Sequence, residues 1–287
     1  MYNGYIIKPP FFELGPKAYL FGKASLDLAI AADKISEKYD VHIIYTPQYV
    51  DIPLIAKLTK NISIFSQHMD PIEIGRGIGH ILPEALKSAG AVGTLLNHAE
   101  KKMTLNDISK AIRRADEVGL ATMVCADNLA EVLAVAQLEP NIILAEPESQ
   151  IGKQLHQQNK ENIIVNSKQY IEEVKEKVRA INPKIKILFS TGIYSGADVY
   201  NIISLGAEAT GCTSGVIKAE NPIEKLEEII ANARKAWDDK RSVILGRSVT
   251  IPLINGEMQL GEFGRIYFAD FDQVRARERI VRISVIG

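Results

Sequence analysis

Between Tyr5 and Trp237 a single rhythm repeats: a short β-branched apolar run, a break of Gly, Pro or Ser, then a longer stretch with helical spacing. The runs predict strands at Tyr5–Leu14, Val41–Thr46, Ile62–Ser66, Ala91–Leu96, Leu120–Ala126, Ile142–Ala145, Ile185–Phe189 and Ala207–Thr213. Between them the segment from Thr104 to Val118 is the clearest helix. Leu105, Ile108, Ala111, Ile112 and Ala115 share one face, with Thr104 as N-cap and Gly119 as the stop. Further helices are expected at 166–181 and 222–237, the latter opened by Asn221 and Pro222. Strands alternating with helices admit an open doubly wound sheet or a closed α/β barrel, and periodicity alone does not separate the two.

After Trp237 the rhythm stops. Residues 238–287 read as short strands broken by Asn255-Gly256, Gly261 and Gly264. Two regions are therefore expected, 1–237 as the α/β domain and 238–287 as a β-rich C-terminal extension. The extension's arginines do not amount to a basic patch, because eight Lys and Arg stand against seven Asp and Glu over 238–287. Over all 287 residues the formal net charge is -1, which argues against nucleic acid as a partner. No apolar run reaches membrane-spanning or signal-peptide length, and Cys125 and Cys212 show no paired metal or redox spacing. A cytoplasmic protein without a membrane partner is expected.

Three ionisable residues fall where predicted strands end: Lys17 after the first, His98 after the fourth and Glu146 after the sixth. Each alone reads as a surface charge, a loop histidine or an exposed acid. On one barrel all three would converge on the C-terminal face, where catalytic groups gather. Moving a carbonyl along a sugar by enolisation needs a carboxylate base, a donor to the carbonyl oxygen and a cation, and these three residue types supply them. A short helical entry is expected just after His98, whose dipole would keep the imidazole neutral. The loops Ser190–Gly196 and Gly211–Val216 follow the seventh and eighth strands, where barrels collect backbone N–H groups around phosphate. His68, Asp70, Glu73 and His80 fit no strong metal-ligand spacing, and no nucleotide-binding glycine motif is present, so no metal and no cofactor are expected.

Several longer stretches carry a resemblance. They are Gln67–Glu73, Gly79–Gly90, Gly93-Thr-Leu-Leu-Asn-His-Ala-Glu100, Ala111–Leu120, Met123-Val-Cys125 and Glu146-Pro-Glu-Ser-Gln-Ile-Gly152. Over roughly residues 5–237 the chain resembles the triosephosphate isomerase family in its short archaeal form. The resemblance implies a (β/α)8 TIM barrel with Glu146 as base, His98 as electrophile and Lys17 as substrate-binding cation. It further implies a lid from Pro147 to about His156, and phosphate contacts at Ile151, Gly152, Gly192, Thr213 and Ser214. A third loop from Met69 to Gly79 would reach a neighbouring subunit, giving a homodimer or homotetramer. Three positions depart from the family pattern: Asn-x-Lys is replaced by Gly15-Pro16-Lys17, Ala99 stands in place of Ser, and the lid hinge reads Gly152-Lys153-Gln154.

The expected activity is an intramolecular oxidoreduction, the interconversion of aldose and ketose forms of a small sugar phosphate, glycolytic if the substrate is a triose. Losing the amide at Gly15 alters the grip on substrate while keeping the proton-transfer groups. A paralogue acting on a tetrose or pentose phosphate is therefore one expectation. The alternative is a non-catalytic sugar-phosphate-binding or assembly barrel. An epimerase or aldolase would need a second base or a Schiff-base lysine, and the reading above identifies neither.

Overall fold

The computed structural model describes residues 1–146, 160–190, 192–244, 253–254 and 257–258. The chain divides into two compact units, Met1–Trp237 and Asp238–Gly287. In the first unit eight parallel strands close on themselves: β1 (Phe11–Leu14), β2 (His42–Tyr45), β3 (Ile62–Ser66), β4 (Gly93–Leu96), β5 (Ala121–Ala126), β6 (Ile142–Ala145), β7 (Lys186–Phe189) and β8 (Ala209–Cys212). Closure is made by β1 pairing with β8, with Leu14 opposite Cys212. This settles the choice the sequence rhythm left open, in favour of the (β/α)8 barrel.

The outer ring is built from α1 (Gly22–Tyr39), α2 (Ile52–Leu58), α3 (Pro83–Ser88), α4 (Leu105–Val118), α5 (Leu129–Ala136), α6 (Lys160–Ile181), α7 (Gly196–Ser204), α8 (Ser214–Ile217) and α9 (Pro222–Ile244). In α4 the Thr104 side chain accepts from the Asp107 N–H, and left-handed Gly119 ends the helix. Ile108, Ala111, Ile112 and Ala115 are its buried face, while Leu105 is half exposed. The last two long helices exceed expectation: α6 begins at Lys160, and α9 runs past Trp237 to Ile244.

Side chains alternate across the barrel wall. Phe12, Leu14, Ile43 and Tyr45 face outward into the layer shared with the helices. Phe11, Ile44, Phe65, Leu95, Met123, Ile142, Leu144 and Leu188 fill the interior. On β1 this parity sets Phe11, Glu13 and then Gly15 on the interior face.

The first strand is shorter than expected, because Pro9 and Pro10 have no N–H to give a ladder and pairing starts at Phe11. Residues 5–7 instead cover the N-terminal end of the barrel. Ile7 joins the interior cluster, the Tyr5 ring packs edge-on to Phe65 at 5.4 Å, and its hydroxyl reaches Ser63 Oγ at 3.3 Å.

In the second unit, β9 (Leu253–Ile254) and β10 (Glu257–Met258) pair antiparallel around Asn255-Gly256, where the sequence signals a hairpin. The other short strands expected in 238–287 lie outside the described residues. Among the described residues no helix is long and apolar enough to cross a membrane.

Candidate active site

At the C-terminal ends of the strands a cavity of about 580 Å³ opens, lined by residues from the loops after β1, β2, β3, β4, β6, β7 and β8. Lys17, His98 and Glu146 all line it, as do Gly15, Gly192, Thr213 and Ser214. Of the residues singled out in the sequence, Ile151 and Gly152, together with the rest of the expected lid, lie outside the described residues.

Lys17 sits on a left-handed backbone, φ 50, a conformation that costs a non-glycine residue about 1–3 kcal/mol. Two amides secure it: Gln48 Nε2 donates to the Lys17 carbonyl at 2.8 Å and Gln67 Nε2 at 2.9 Å. The same Gln67 nitrogen also donates to the Thr46 carbonyl at 2.9 Å. The ammonium pairs with Glu100 at 2.8 Å, a partly solvent-exposed pair whose two residues both line the cavity. Gln48 and Gln67 were not picked out as site residues in the sequence. Only the motif beginning at Gln67 could have pointed to one of them.

His98 is reached through Asn97, another left-handed residue, φ 57, whose side chain bridges the loop to the barrel. Asn97 Nδ2 donates to the Cys125 carbonyl at 2.9 Å, and its Oδ1 accepts from the Met103 N–H at 2.9 Å. The helical entry expected after His98 is a turn, with Lys101 N–H donating to the His98 carbonyl, and α4 starts only at Leu105. The imidazole is kept neutral by another route. Burial lowers its pKa first, the neighbouring Lys17 ammonium lowers it further, and Glu100 works against both. The Glu100 N–H donates to Nδ1 at 3.1 Å, and since an amide N–H can only donate, the neutral ring carries its proton on Nε2.

Glu146 follows β6 directly, its N–H bonded to the Ala126 carbonyl at 2.9 Å. Burial pushes its carboxyl up to about 7, a hydrogen bond from Ser190 and the Lys17 charge opposing the rise. A carboxyl poised near neutrality takes up and releases a proton with little driving force either way, which suits a general base. Asp127, buried beside the site, is held by Lys102.

A second acid was missed in the sequence. Glu13, on the interior face of β1, is 7% exposed and lines the same cavity. Its Oε1 accepts from Thr46 Oγ1 at 3.0 Å. Burial raises its carboxyl to about 7, with the Thr46 bond lowering it, the Glu146 charge raising it and Lys17 lowering it. The signal available was an acid inside an otherwise apolar strand, Phe11-Phe-Glu-Leu14.

The third loop is tied internally. Asp70 accepts from the Ile81 N–H at 2.7 Å and lies 3.3 Å from His68 Nε2 and 3.4 Å from His80 Nδ1. One carboxylate thus organises the turn-rich run through Gly79.

A family model for triosephosphate isomerase matches residues 21–233. The triosephosphate isomerase of Methanobacterium bryantii is 38% identical over 228 residues, covering 79% of this chain and 98% of its own. That of Methanocaldococcus jannaschii is 39% identical over 209 residues, covering 73% of this chain and 92% of its own. That of Sulfurisphaera tokodaii is 36% identical over 240 residues, covering 82% and 100%.

The chain belongs to the triosephosphate isomerase family. It is accordingly an isomerase of the aldose–ketose, intramolecular oxidoreductase class, and a binding-only barrel is not favoured. A second family model, described as UPF0047 protein YjbQ-like, matches residues 227–287 and overlaps the end of the triosephosphate isomerase match.

Proposed function

We propose that this member of the triosephosphate isomerase family enolises a small sugar phosphate with Glu146 as base and His98 as electrophile. The Glu146 carboxylate removes a proton from the carbon beside the carbonyl. The electron pair moves into the new carbon–carbon double bond, and the carbonyl oxygen takes up negative charge against the His98 Nε2–H. His98 then passes a proton between the two neighbouring oxygens, and Glu146 returns its proton to the adjacent carbon. Lys17 supplies positive charge at the mouth of the site, and the loops at Gly192 and at Thr213 and Ser214 receive the phosphate. The segment bearing Ile151 and Gly152 would complete the phosphate contacts.

The observation that carries this reading is the meeting of Glu146, His98 and Lys17 around one cavity, although they leave different strands far apart in sequence. The neutral Nε2–H tautomer and a carboxyl near neutrality supply the donor and the base that enolisation needs. A volume of about 580 Å³ lies within the usual range for small-molecule sites and leaves room for a four- or five-carbon phosphate beside the triose. Incubation with glyceraldehyde 3-phosphate, tetrulose phosphates and pentulose phosphates in D₂O, read by NMR, tests it. Isomer formation with deuterium at the enolised carbon is expected, and no exchange with any member of the series would refute it.

The protein is further proposed to act in the cytoplasm, where its two buried free thiols, Cys125 and Cys212, would stay reduced. A homodimer or homotetramer is proposed from the third loop, where Ile78 is fully exposed and Ile74 largely so despite being apolar. Light scattering on the purified chain checks this, and a monomer at micromolar concentration would count against it.

A further inference from the structure

We propose that the Glu13 carboxyl is a substrate-contacting group that occupies the place left by the missing side chain at Gly15, hydrogen-bonds a hydroxyl of the bound sugar phosphate, and thereby favours chains longer than three carbons. This rests on the reading that the cavity holds a sugar phosphate against Glu146 and His98.

The geometry begins with strand parity. Glu13, on the interior face of β1, and Gly15, just past its end, share that face two positions apart, about 6.6 Å of strand, a gap that a glutamate side chain can span. It does so here: a Cβ built on Gly15 would lie 2.7 Å from Glu13 Oε1, closer than real carbon atoms come. The next neighbours of that point are Thr46 Oγ1 at 3.1 Å and Thr213 Oγ1 at 3.5 Å, so it sits among polar groups at the cavity wall. On the opposite side, a Cβ on Gly211 would lie 2.8 Å from the Glu13 backbone carbonyl oxygen, 2.9 Å from its Cβ and 3.0 Å from its Oε2, so this glycine serves the close approach of β1 and β8 as well as the carboxyl. Two glycines, one on β1's extension and one on β8, thus clear the volume in which this carboxyl stands. The side chain is not a stray acid folded into the core. It is housed by residues that leave space for nothing else at those points.

The polar group absent from position 15 has therefore been replaced from position 13. The replacement is chemically different. An amide donates through nitrogen and accepts through a separate oxygen, and neither role changes with pH. With Oε1 already accepting from Thr46, a protonated Glu13 can donate through Oε2 and still accept, which complements a hydroxyl. The elevation of this carboxyl to about 7 keeps a large protonated fraction available at neutral pH. The charged groups that act on it are Glu146 and Lys17, both part of the same cavity. A four- or five-carbon ketose phosphate offers a hydroxyl beyond the enediolate pair that a triose phosphate lacks.

The test measures binding as well as turnover. Phosphorylated hydroxamates that mimic the three-carbon and the four-carbon enediolate are titrated calorimetrically into the full chain, Glu13→Ala, and Glu13→Ala/Gly15→Asn. The expected result is a loss of about tenfold or more for the four-carbon mimic in Glu13→Ala, with a clearly smaller loss for the three-carbon mimic. The double variant, which refills the vacated space from position 15, should reverse the preference toward three carbons. It also serves if the single variant does not fold. Equal weakening of both mimics, no weakening of either, or an unchanged preference in the double variant would each overturn the proposal. Failure of the isomerase roles looks different: it appears as absent deuterium exchange in the parent chain, whatever the mimics show.

Discussion

The two ends of the barrel each carry a half-buried histidine whose pKa lies below the ordinary imidazole value, yet they are built for different ends. His42, at the start of β2, meets Ser63 Oγ at 2.8 Å through Nε2, and burial is the cause of its lowered pKa. Tyr5 caps the same serine, its own phenol pushed up by burial. His98, at the other end, is lowered by burial too, but Lys17, Glu100, Lys102 and Asp127 all act on it and an open cavity lies before it. A depressed imidazole therefore says only that water has been excluded. What separates a packing histidine from a reactive one is the ring of charges around it and the room for a second molecule.

The largest effect that could break this contrast is at the base. Glu146→Gln keeps the shape of the cavity but cannot accept the proton, and kcat should fall by about 100- to 10,000-fold in a coupled or NMR assay. A fall below about tenfold would put the chemistry elsewhere. His98→Gln keeps a donor but removes the imidazole that passes a proton between the oxygens, and should lower kcat by about 100- to 1,000-fold with a smaller change in KM. The corresponding His42→Gln should leave kcat/KM within about twofold. A comparable loss from both histidines would erase the distinction between the two ends.

The pH profile sharpens it further. Glu146 must be ionised to act, and its pKa stands at about 7, so kcat/KM should fall about tenfold for each pH unit below 7. His98 is lowered from its ordinary value, so its protonation would steepen the decline only at still lower pH. A profile flat down to pH 5 would contradict the assignment of Glu146.

Stability should run the opposite way at Glu13. Its folded pKa, about 7, lies above the model-peptide value of 4.5, so the folded state holds the proton more tightly than the unfolded chain does. The favourable contribution is complete below about 4.5 and is lost as pH rises through 7. Glu13→Gln should therefore raise folding stability at pH 8, by on the order of 3 kcal/mol and read as a higher melting temperature, and show little gain at pH 5. The smallest effect belongs to the closed end: His42→Ala removes one of the two partners of the Ser63 hydroxyl, Tyr5 remaining, and should cost on the order of 1 kcal/mol at unchanged activity.

Much of the scaffold was legible because it follows from local patterning. The strands at Ile62–Ser66 and Ile142–Ala145 have the expected bounds, and α4 has the expected caps. Lys17, His98 and Glu146, which line one cavity, could be singled out because each lies within three residues of a strand's C-terminal end. Closure could not, since pairing β1 with β8 joins residues about 200 apart and leaves no local trace. Glu13 escaped for a related reason. A charge within an apolar strand becomes meaningful only once Gly15, Thr46 and Gly211 are seen to surround it. The turn after His98 was read as helix because Ala99-Glu-Lys-Lys102 has helical propensity, but the Asn97 bridge to Met103 holds that segment in a loop.

The pairing of Leu14 with Cys212 also fixes an order of events during synthesis. The first strand emerges early, with one edge unsatisfied until nearly three-quarters of the chain has followed. Until then it is a sticky ribbon available to any other growing chain. Nor can Glu13 and Lys17 meet the loop at Thr213 before that last strand arrives. The enzyme is thus without a pocket until about three-quarters of the chain has been made, and a nascent chain stalled before β8 would bury hydrophobic surface yet turn nothing over.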